Sequence, residues 1–391
     1  MRIAFVTTYD ARDPSIWAGS TYNMAKALER QGIELHYVGP LRERRRVVNK
    51  AIQVACRRLR GCDFQRDREP AVLDGYARQV EEALRGAKVD LVFSPGSVPL
   101  AHLETDLPVV FWSDATYDAV AREYVWPPPP PPCGRSLRLG HAMEARTLRT
   151  CALAIFTSVW AARSALDDYG ADPAKVKVVP FGANIDVART AELVARTIDG
   201  RPRDRCNLLH IGVGWLRKGG DISVEIARHL NARGLKTKLT MLGSRPPDDV
   251  TLPGFVEHVG FIDKRTDEGR RRFDELFGSS HFLLLPARAE AFGVVLCEAC
   301  SFGVPCLASR VGGIPSIVAD DVNGKLFERD CDPDRYADFV AALFEDFDKY
   351  RALARSAFAE YETSLNWDVA ARRVKEMLEQ VLAATRQMPV H

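Results

Sequence analysis

Short runs of apolar residues, each closed by small or turn-forming residues, recur at positions 2–8, 33–39, 90–96, 108–114, 153–158 and 177–182. Runs of this length without polar alternation predict strands buried on both faces, the pattern of a parallel sheet covered by helices. Between them lie segments of helical period. One is residues 19–31, with Met24, Ala25 and Leu28 on one face and Gly32 placed to close it, and another is residues 76–85. Strand alternating with helix implies right-handed βαβ units in a doubly wound sheet. After Asp186 the chain turns polar and basic through residues 201–205, and the alternation then starts afresh with strands expected at 206–212, 237–243, 282–286 and 305–308. Two α/β halves joined near residues 184–206 are therefore expected. A final helical pattern at residues 366–384 carries Trp367, Val374, Met377, Leu378 and Val381.

The length of 391 residues agrees with two domains of the usual size. A 46% hydrophobic and 27% charged composition is that of an ordinary soluble protein, and no apolar window is long enough to span a bilayer. The net charge of +2 argues against a whole-surface nucleic-acid binder. It hides a local imbalance, however: residues 41–60 hold eight basic side chains against Glu43 alone, a net +7, which leaves −5 on the rest. Val47, Val48, Ala51, Ile52, Val54, Ala55 and Leu59 interleave with those charges, so the segment reads either as a basic amphipathic helix for anionic lipid, an acceptor's phosphates or nucleic acid, or as a solvated helix. Pro127 to Pro132 form six consecutive prolines ahead of Cys133, a stiff polyproline loop bordering a cleft, with an SH3-type ligand as the alternative. Nine scattered cysteines and no apolar leader predict a cytosolic chain with reduced thiols, and Cys297 and Cys300 read as core thiols in spite of their CxxC spacing.

Chemistry is sought where strands end and helices begin. The segment from His210 through Gly212, Gly214, Arg217, Lys218, Gly219 and Gly220 to Asp221 follows an apolar strand and precedes a helical pattern. Glycines admit a close backbone approach, a helix N-terminus favours anions, and Arg217 and Lys218 add positive charge, so the loop has the make-up of a diphosphate site. It matches neither GxxxxGK[ST] nor GxGxxG, and a structural turn remains the alternative. In a second constellation, an apolar strand ends at Pro286, Glu290 sits in the following loop, and Gly293 precedes a helix bearing Glu298 among Val294, Val295, Leu296, Cys297 and Ala299. A glutamate in apolar surroundings needs partners, which sugar or ribose hydroxyls would supply and a neighbouring arginine would supply equally.

Glu290-x7-Glu298 in the context E-A-F-G-V-V-L-C-E-A, continued by Gly303-Val-Pro305, residues 311–315 and Asn323-Gly324, resembles the donor-binding half of the retaining GT-B glycosyltransferases of the large family four. The loop from Gly212 to Asp221 resembles the same family's phosphate loop, and Phe181-Gly-Ala-Asn184-Ile-Asp186 resembles its end-of-first-domain motif. The resemblance implies two facing Rossmann-like domains with a cleft between them. Residues 1–184 would be the acceptor side, with residues 367–391 packing back on it, and residues 185–366 the donor side. It also implies that Glu298 binds ribose hydroxyls, that Glu290 binds the donor sugar, and that backbone at Phe292, Gly293, Val294 and Val295 meets diphosphate and sugar. Lys218 and Arg217, near Gly214, would hold the diphosphate. The base would lie against backbone near Gly260, Phe261 and Ile262, and the loop Trp17-Ala-Gly19-Ser20 would approach donor and acceptor.

Two departures stand out. Many members carry Arg where this chain has Val213, and a histidine where it has Asp114, which would either take over a sugar or acceptor contact or leave that role vacant. The implied reaction is retaining, needs no metal or cofactor, and proceeds without an evident protein nucleophile. Asp332-Pro-Asp334 and Asp346-Phe-Asp348 read as solvated acids. Implied partners are a UDP-, GDP- or ADP-sugar and a sugar or lipid-linked acceptor of envelope polysaccharide, glycolipid or glycoconjugate synthesis. No nucleic acid is expected, and residues 42–60 would allow peripheral contact with an anionic membrane from the cytoplasmic side. The competing classes are a nicotinamide-dependent α/β dehydrogenase or epimerase, disfavoured by the absent GxGxxG, and a non-catalytic binding protein of the same fold.

Overall fold

The computed structural model describes residues 1–124, 130–185, 189–243 and 245–387. Pro127, Pro128 and Pro129 of the proline run, and Asp186, lie outside the described residues. The chain divides into two compact units, Met1–Phe181 with Trp367–His391, and Gly182–Asn366.

In the first unit, β1 (Arg2–Val6), β2 (Glu34–Val38), β3 (Leu91–Ser94), β4 (Val109–Ser113), β5 (Leu153–Phe156) and β6 (Val176–Val178) form a parallel sheet in the order β2-β1-β3-β4-β5-β6. The helices are α1 (Ser20–Arg30), α2 (Arg46–Arg60), α3 (Pro70–Leu84), α4 (Tyr117–Glu123), α5 (Gly134–Thr150) and α6 (Val159–Asp167). The central strands are apolar because both faces are covered. Phe5 stacks on Phe93 at 5.7 Å, and Phe111 meets Phe156 edge-on at 5.7 Å. Side-chain caps fix the starts of α4 and α6, where Thr116 accepts from the Ala119 N–H and Ser158 from the Ala161 N–H. The α3 helix begins six residues before the sequence pattern suggested, because Pro70 suits a first helical turn. The strand expected at 177–182 is shorter and earlier. Beyond it, the Val179 N–H still donates to the Phe156 carbonyl.

In the second unit, β7 (Cys206–Gly212), β8 (Thr237–Gly243), β9 (Val256–Gly260), β10 (Phe282–Leu285), β11 (Cys306–Ser309) and β12 (Gly324–Phe327) form a second parallel sheet in the order β12-β11-β10-β7-β8-β9. Its helices are α7 (Ala191–Asp199), α8 (Gly220–Ala232), α9 (Asp267–Ser279), α10 (Val294–Cys300), α11 (Pro333–Glu345) and α12 (Phe347–Thr363). The sequence pattern missed β9 and β12, both edge strands. β9 is half-buried throughout, and β12 opens on Gly324 and carries Lys325. Asp332 and Asp346 are the N-caps of α11 and α12 rather than simply solvated acids, and Asp334 pairs with Arg233 and His229.

The last helix, α13 (Trp367–Gln387), belongs to the first unit. Arg30 pairs with Asp368, and the Lys375 ammonium donates to the Gln31 carbonyl. Trp367 stacks on Phe181 at 5.2 Å and meets Trp112 at 5.7 Å, while the Trp112 indole donates to the Val179 carbonyl. No described helix is long and apolar enough to cross a membrane. The cysteines correct one expectation: Cys62 and Cys133, 71 positions apart, form a disulfide. Cysteine spacing could not show this, because the pair is made by a tertiary contact between the end of α2 and the start of α5. Cys297 and Cys300 are buried on α10.

Candidate functional site

In an open parallel sheet the crevice for a ligand forms where neighbouring strands send their helices to opposite faces, at the carboxyl ends of those strands. In the second unit that point falls between β7 and β10, which pair with His210 opposite Leu284. The two loops that follow these strands carry the two motifs singled out in the sequence.

The loop after β7 is tightly built. Gly219 adopts φ +71° as the N-cap of α8, and a Cβ there would lie 2.0 Å from the Pro286 carbonyl oxygen, so the loops after β7 and β10 touch through backbone. Arg217 does not point freely at a ligand: its guanidinium donates to the carbonyls of Val213 and Ala289. Arg288 holds the same loop from the other side, donating to the Leu216 carbonyl at 2.6 Å and forming a two-pronged ion pair with Asp221 at 2.9 and 2.7 Å.

Lys218 and Glu290, 72 residues apart, form an ion pair in which both side chains are almost fully buried. Burial, with the Arg217 guanidinium alongside, pushes the Lys218 ammonium down to about 7, while the adjacent Glu290 carboxylate favours the charged form. His210, on β7 beneath the loop, is pushed down to about 4 by burial and by Lys218, so it is neutral at pH 7, with Nδ1 bonded to the Ser223 hydroxyl at 3.0 Å. The Glu290 backbone is gripped by Gly312 and Gly313. The Gly313 N–H donates to its carbonyl at 3.2 Å, and a Cβ on Gly312 would come within 1.8 Å of the same oxygen.

Gly293, at φ +88°, turns the chain from this loop into α10, with Phe292 before the bend and Val294 and Val295 in the first turn after it. On α10, Glu298 is buried and bound by the Lys264 ammonium at 2.9 Å, and that ammonium also donates to the Asn184 carbonyl. Burial raises the Glu298 carboxyl, and Lys264 opposes the rise. Gly214 lies in the loop after β7 at φ +95°. Phe261 is 83% exposed just beyond β9, with Ile262 half-buried beside it, a free aromatic face of the kind on which a base stacks. Lys264 and Arg288 were absent from the sequence reading. Both are single basic residues without a motif, and only the fold sets them against Glu298 and Asp221.

The first unit carries its own polar rim. Trp17, Ala18 and Gly19 are all left-handed, at φ 50°, 53° and 85°, a backbone that costs energy for the first two and is held by the Trp17–Phe181 contact at 5.6 Å. The Trp17 indole donates to Asp114, at the end of β4, and burial pushes that carboxyl up to about 6. The Tyr9 hydroxyl bonds to Thr21 at 2.7 Å nearby. Among the described residues the only cluster of three metal-ligating side chains is Cys56, Cys62 and Cys133, and two of these are consumed by the disulfide.

Two family models match this chain. One, described as Glycosyl transferases group 1, covers residues 196–360, and the other, Glycosyltransferase Family 4, covers residues 19–187. A D-inositol 3-phosphate glycosyltransferase of Xylanimonas cellulosilytica is 32% identical over 234 residues, which are 56% of this chain and 54% of that protein. The chain thus spans about half the length of the curated relatives it matches. Among solved structures, sucrose-phosphate synthase from Thermosynechococcus elongatus aligns with a TM-score of 0.67 at 16% identity, covering 98% of this chain and 100% of that one. Anabaena Alr3699/HepE in complex with UDP aligns at 0.65 and 17% identity, covering 97% and 100%. At such identities these two likenesses establish the fold.

Proposed function

The chain belongs to the family-four glycosyltransferases of GT-B fold, and from that premise we propose that it moves a sugar from a nucleotide-sugar donor to an acceptor with retention of anomeric configuration. The observation that carries the reading is the buried Lys218–Glu290 pair, which joins the two loops at the point where the second sheet reverses its winding. In it a cation suited to a diphosphate stands beside a carboxylate suited to sugar hydroxyls. An arriving diphosphate takes over the ammonium and restores its full charge, and Glu290 is freed to accept from the sugar. Cleavage at the anomeric carbon places negative charge on the departing phosphate oxygen. Lys218, released from Glu290, and the N-terminus of α8 stabilise that charge, with the Arg217 guanidinium alongside holding the loop. Glu298 takes the ribose hydroxyls, with Lys264 orienting it. No protein nucleophile stands in this arrangement, so the acceptor attacks from the leaving-group face.

The UDP and UDP-glucose bound in the Anabaena neighbour support a UDP-sugar as the first donor to test. The inositol phosphate named in the relatives' activity supports a phosphorylated polyol or sugar acceptor. Acceptor contacts fall to Asp114 and the Trp17–Gly19 loop of the first unit. The α2 helix is the second element of the proposal. It buries only Asn49, leaves Val47 and Leu59 each 83% exposed, and carries Arg46, Lys50 and Arg58 beside them. Apolar tips among cations are complementary to an anionic bilayer surface, so α2 would keep the enzyme beside lipid-linked acceptors of envelope or glycolipid synthesis.

The test is calorimetric titration with UDP, GDP and ADP, followed by turnover with the corresponding sugars. Lys218→Ala should weaken nucleoside diphosphate binding by about 1.5–3 kcal/mol, the worth of a charge-assisted contact. Glu290→Gln should leave that binding in place and lower turnover by about a hundredfold or more. Full turnover in both variants would refute the assignment.

A further inference from the structure

Three sulfurs from three parts of the first unit converge. Cys56 lies near the end of α2, Cys62 in the turn that follows it, and Cys133 is the N-cap of α5. The three Sγ atoms lie within 4.8 Å of one another; Cys62 and Cys133 are bonded, and Cys56 is not part of a disulfide. All three are half-buried, so solvent reaches the group. Hydrogen bonds hold the same segments together beside the disulfide. The Asp63 N–H donates to the Pro131 carbonyl at 2.8 Å, and the Cys133 N–H to the Asp63 carbonyl at 2.9 Å. The Cys62 N–H reaches the Cys56 carbonyl at 3.4 Å, and Arg57 and Gln53 of α2 both bind the Asp63 carboxylate. A third sulfur held by backbone against a disulfide is placed as a nucleophile toward it.

We infer that Cys56, Cys62 and Cys133 form a thiol–disulfide exchange site in which Cys56 is the attacking sulfur. After Cys56 loses its proton to solvent, its thiolate forms a bond to Cys62 Sγ. The Cys62–Cys133 bond breaks, its electron pair leaves on Cys133 Sγ, and that thiolate takes a proton from solvent. One disulfide and one thiol exist before and after, so the step needs no oxidant or reductant. The direction follows from the leaving group: Cys133 sits at the N-cap position of the 17-residue α5, where the positive end of the helix dipole favours a thiolate, and the better-stabilised thiolate leaves faster. The product closes a short loop at the end of α2, between positions 56 and 62, and removes the covalent tie between α2 and α5. The two backbone hydrogen bonds between Asp63 and the segment 131–133 then remain as the tie at that point. The site thereby sets how firmly the basic helix is fastened to its unit.

The sequence makes the test direct, because trypsin places each cysteine in its own peptide, 51–57, 61–66 and 123–135. The full chain, purified without reductant, is held at pH 8, quenched with acid, alkylated and mapped by mass spectrometry without reduction. We expect two linked species, 61–66 with 123–135 and 51–57 with 61–66, and a fraction of alkylated Cys133 that equals the second. In Cys56→Ser, with an unchanged melting temperature, only the first should remain. The inference is overturned if wild type shows only the first species with Cys56 fully alkylated. It is equally overturned if all thiols are alkylated at the outset, or if pairs with Cys151 or Cys331 appear, since these mean a reduced chain or general scrambling.

Discussion

At the scale of single residues, the chain keeps several ionisable groups out of water, and each has a consequence that can be measured. Glu144, buried on α5, accepts from the Ser97 hydroxyl at 2.7 Å through one oxygen while the other has no partner. Burial pushes its carboxyl up to about 7, from 4.5. The folded state therefore holds this proton where the unfolded chain releases it, so the group costs stability progressively as pH rises from about 4.5 to about 7, and its full cost stands above that. Glu144→Gln should stabilise the protein by about 2 kcal/mol at pH 8 and change little at pH 4.5, as read by urea unfolding at the two pH values. A second expectation concerns Lys218. With its ammonium near 7 in the unliganded site, nucleoside diphosphate binding at pH 8 should take up a proton. Calorimetry in two buffers of different ionisation enthalpy would show this as a difference in apparent heat, and Lys218→Ala should abolish it. Glu290 and Glu298 were legible in the sequence, because a fixed spacing in an apolar context marks them. Lys264 and Arg288 were not, since a lone basic residue gains meaning only from the carboxylate that the fold brings to it.

At the scale of elements, the site is made by two loops that can be altered separately. Gly312→Ala should displace the Glu290 backbone, because the new methyl would overlap its carbonyl oxygen and the left-handed φ of 49° disfavours any side chain. The expected cost is about 2–3 kcal/mol in the unfolding free energy, together with loss of turnover in the folded fraction. The α2 helix is tested by co-sedimentation with vesicles. Wild type should bind phosphatidylglycerol vesicles and release them at high salt. The double change Val47→Asp with Leu59→Asp should weaken binding at least tenfold without altering the melting temperature, since both tips are exposed. If wild type ignores anionic vesicles, the membrane role of α2 falls and the transferase reading stands. Interior strands were legible because burial on both faces forces an apolar run. The edge strands β9 and β12 were not, because one flank faces solvent and their sequences mix apolar with charged or glycine positions.

At the scale of the whole molecule, the chain passes out of its first unit and returns to it. Trp367 closes an aromatic cluster with Trp112 and Phe181, and Trp17 reaches the same phenylalanine. Trp367→Ala should cost about 3–5 kcal/mol, the range for truncating a buried tryptophan. The first transition in calorimetric unfolding should move down, while the affinity for nucleoside diphosphate, which the proposal assigns to the second unit, should be kept. The sequence by itself determined the fold class, the two alternating halves, the positively charged helix and the paired glutamates, because each is written in local spacing, periodicity or composition. Only the tertiary structure decided that Lys218 faces Glu290, that Lys264 faces Glu298, that α13 returns to the first unit, and that Cys62 meets Cys133 beside Cys56. Those are contacts between residues tens to hundreds of positions apart, and strand order and the path of the chain set them, which no local pattern encodes.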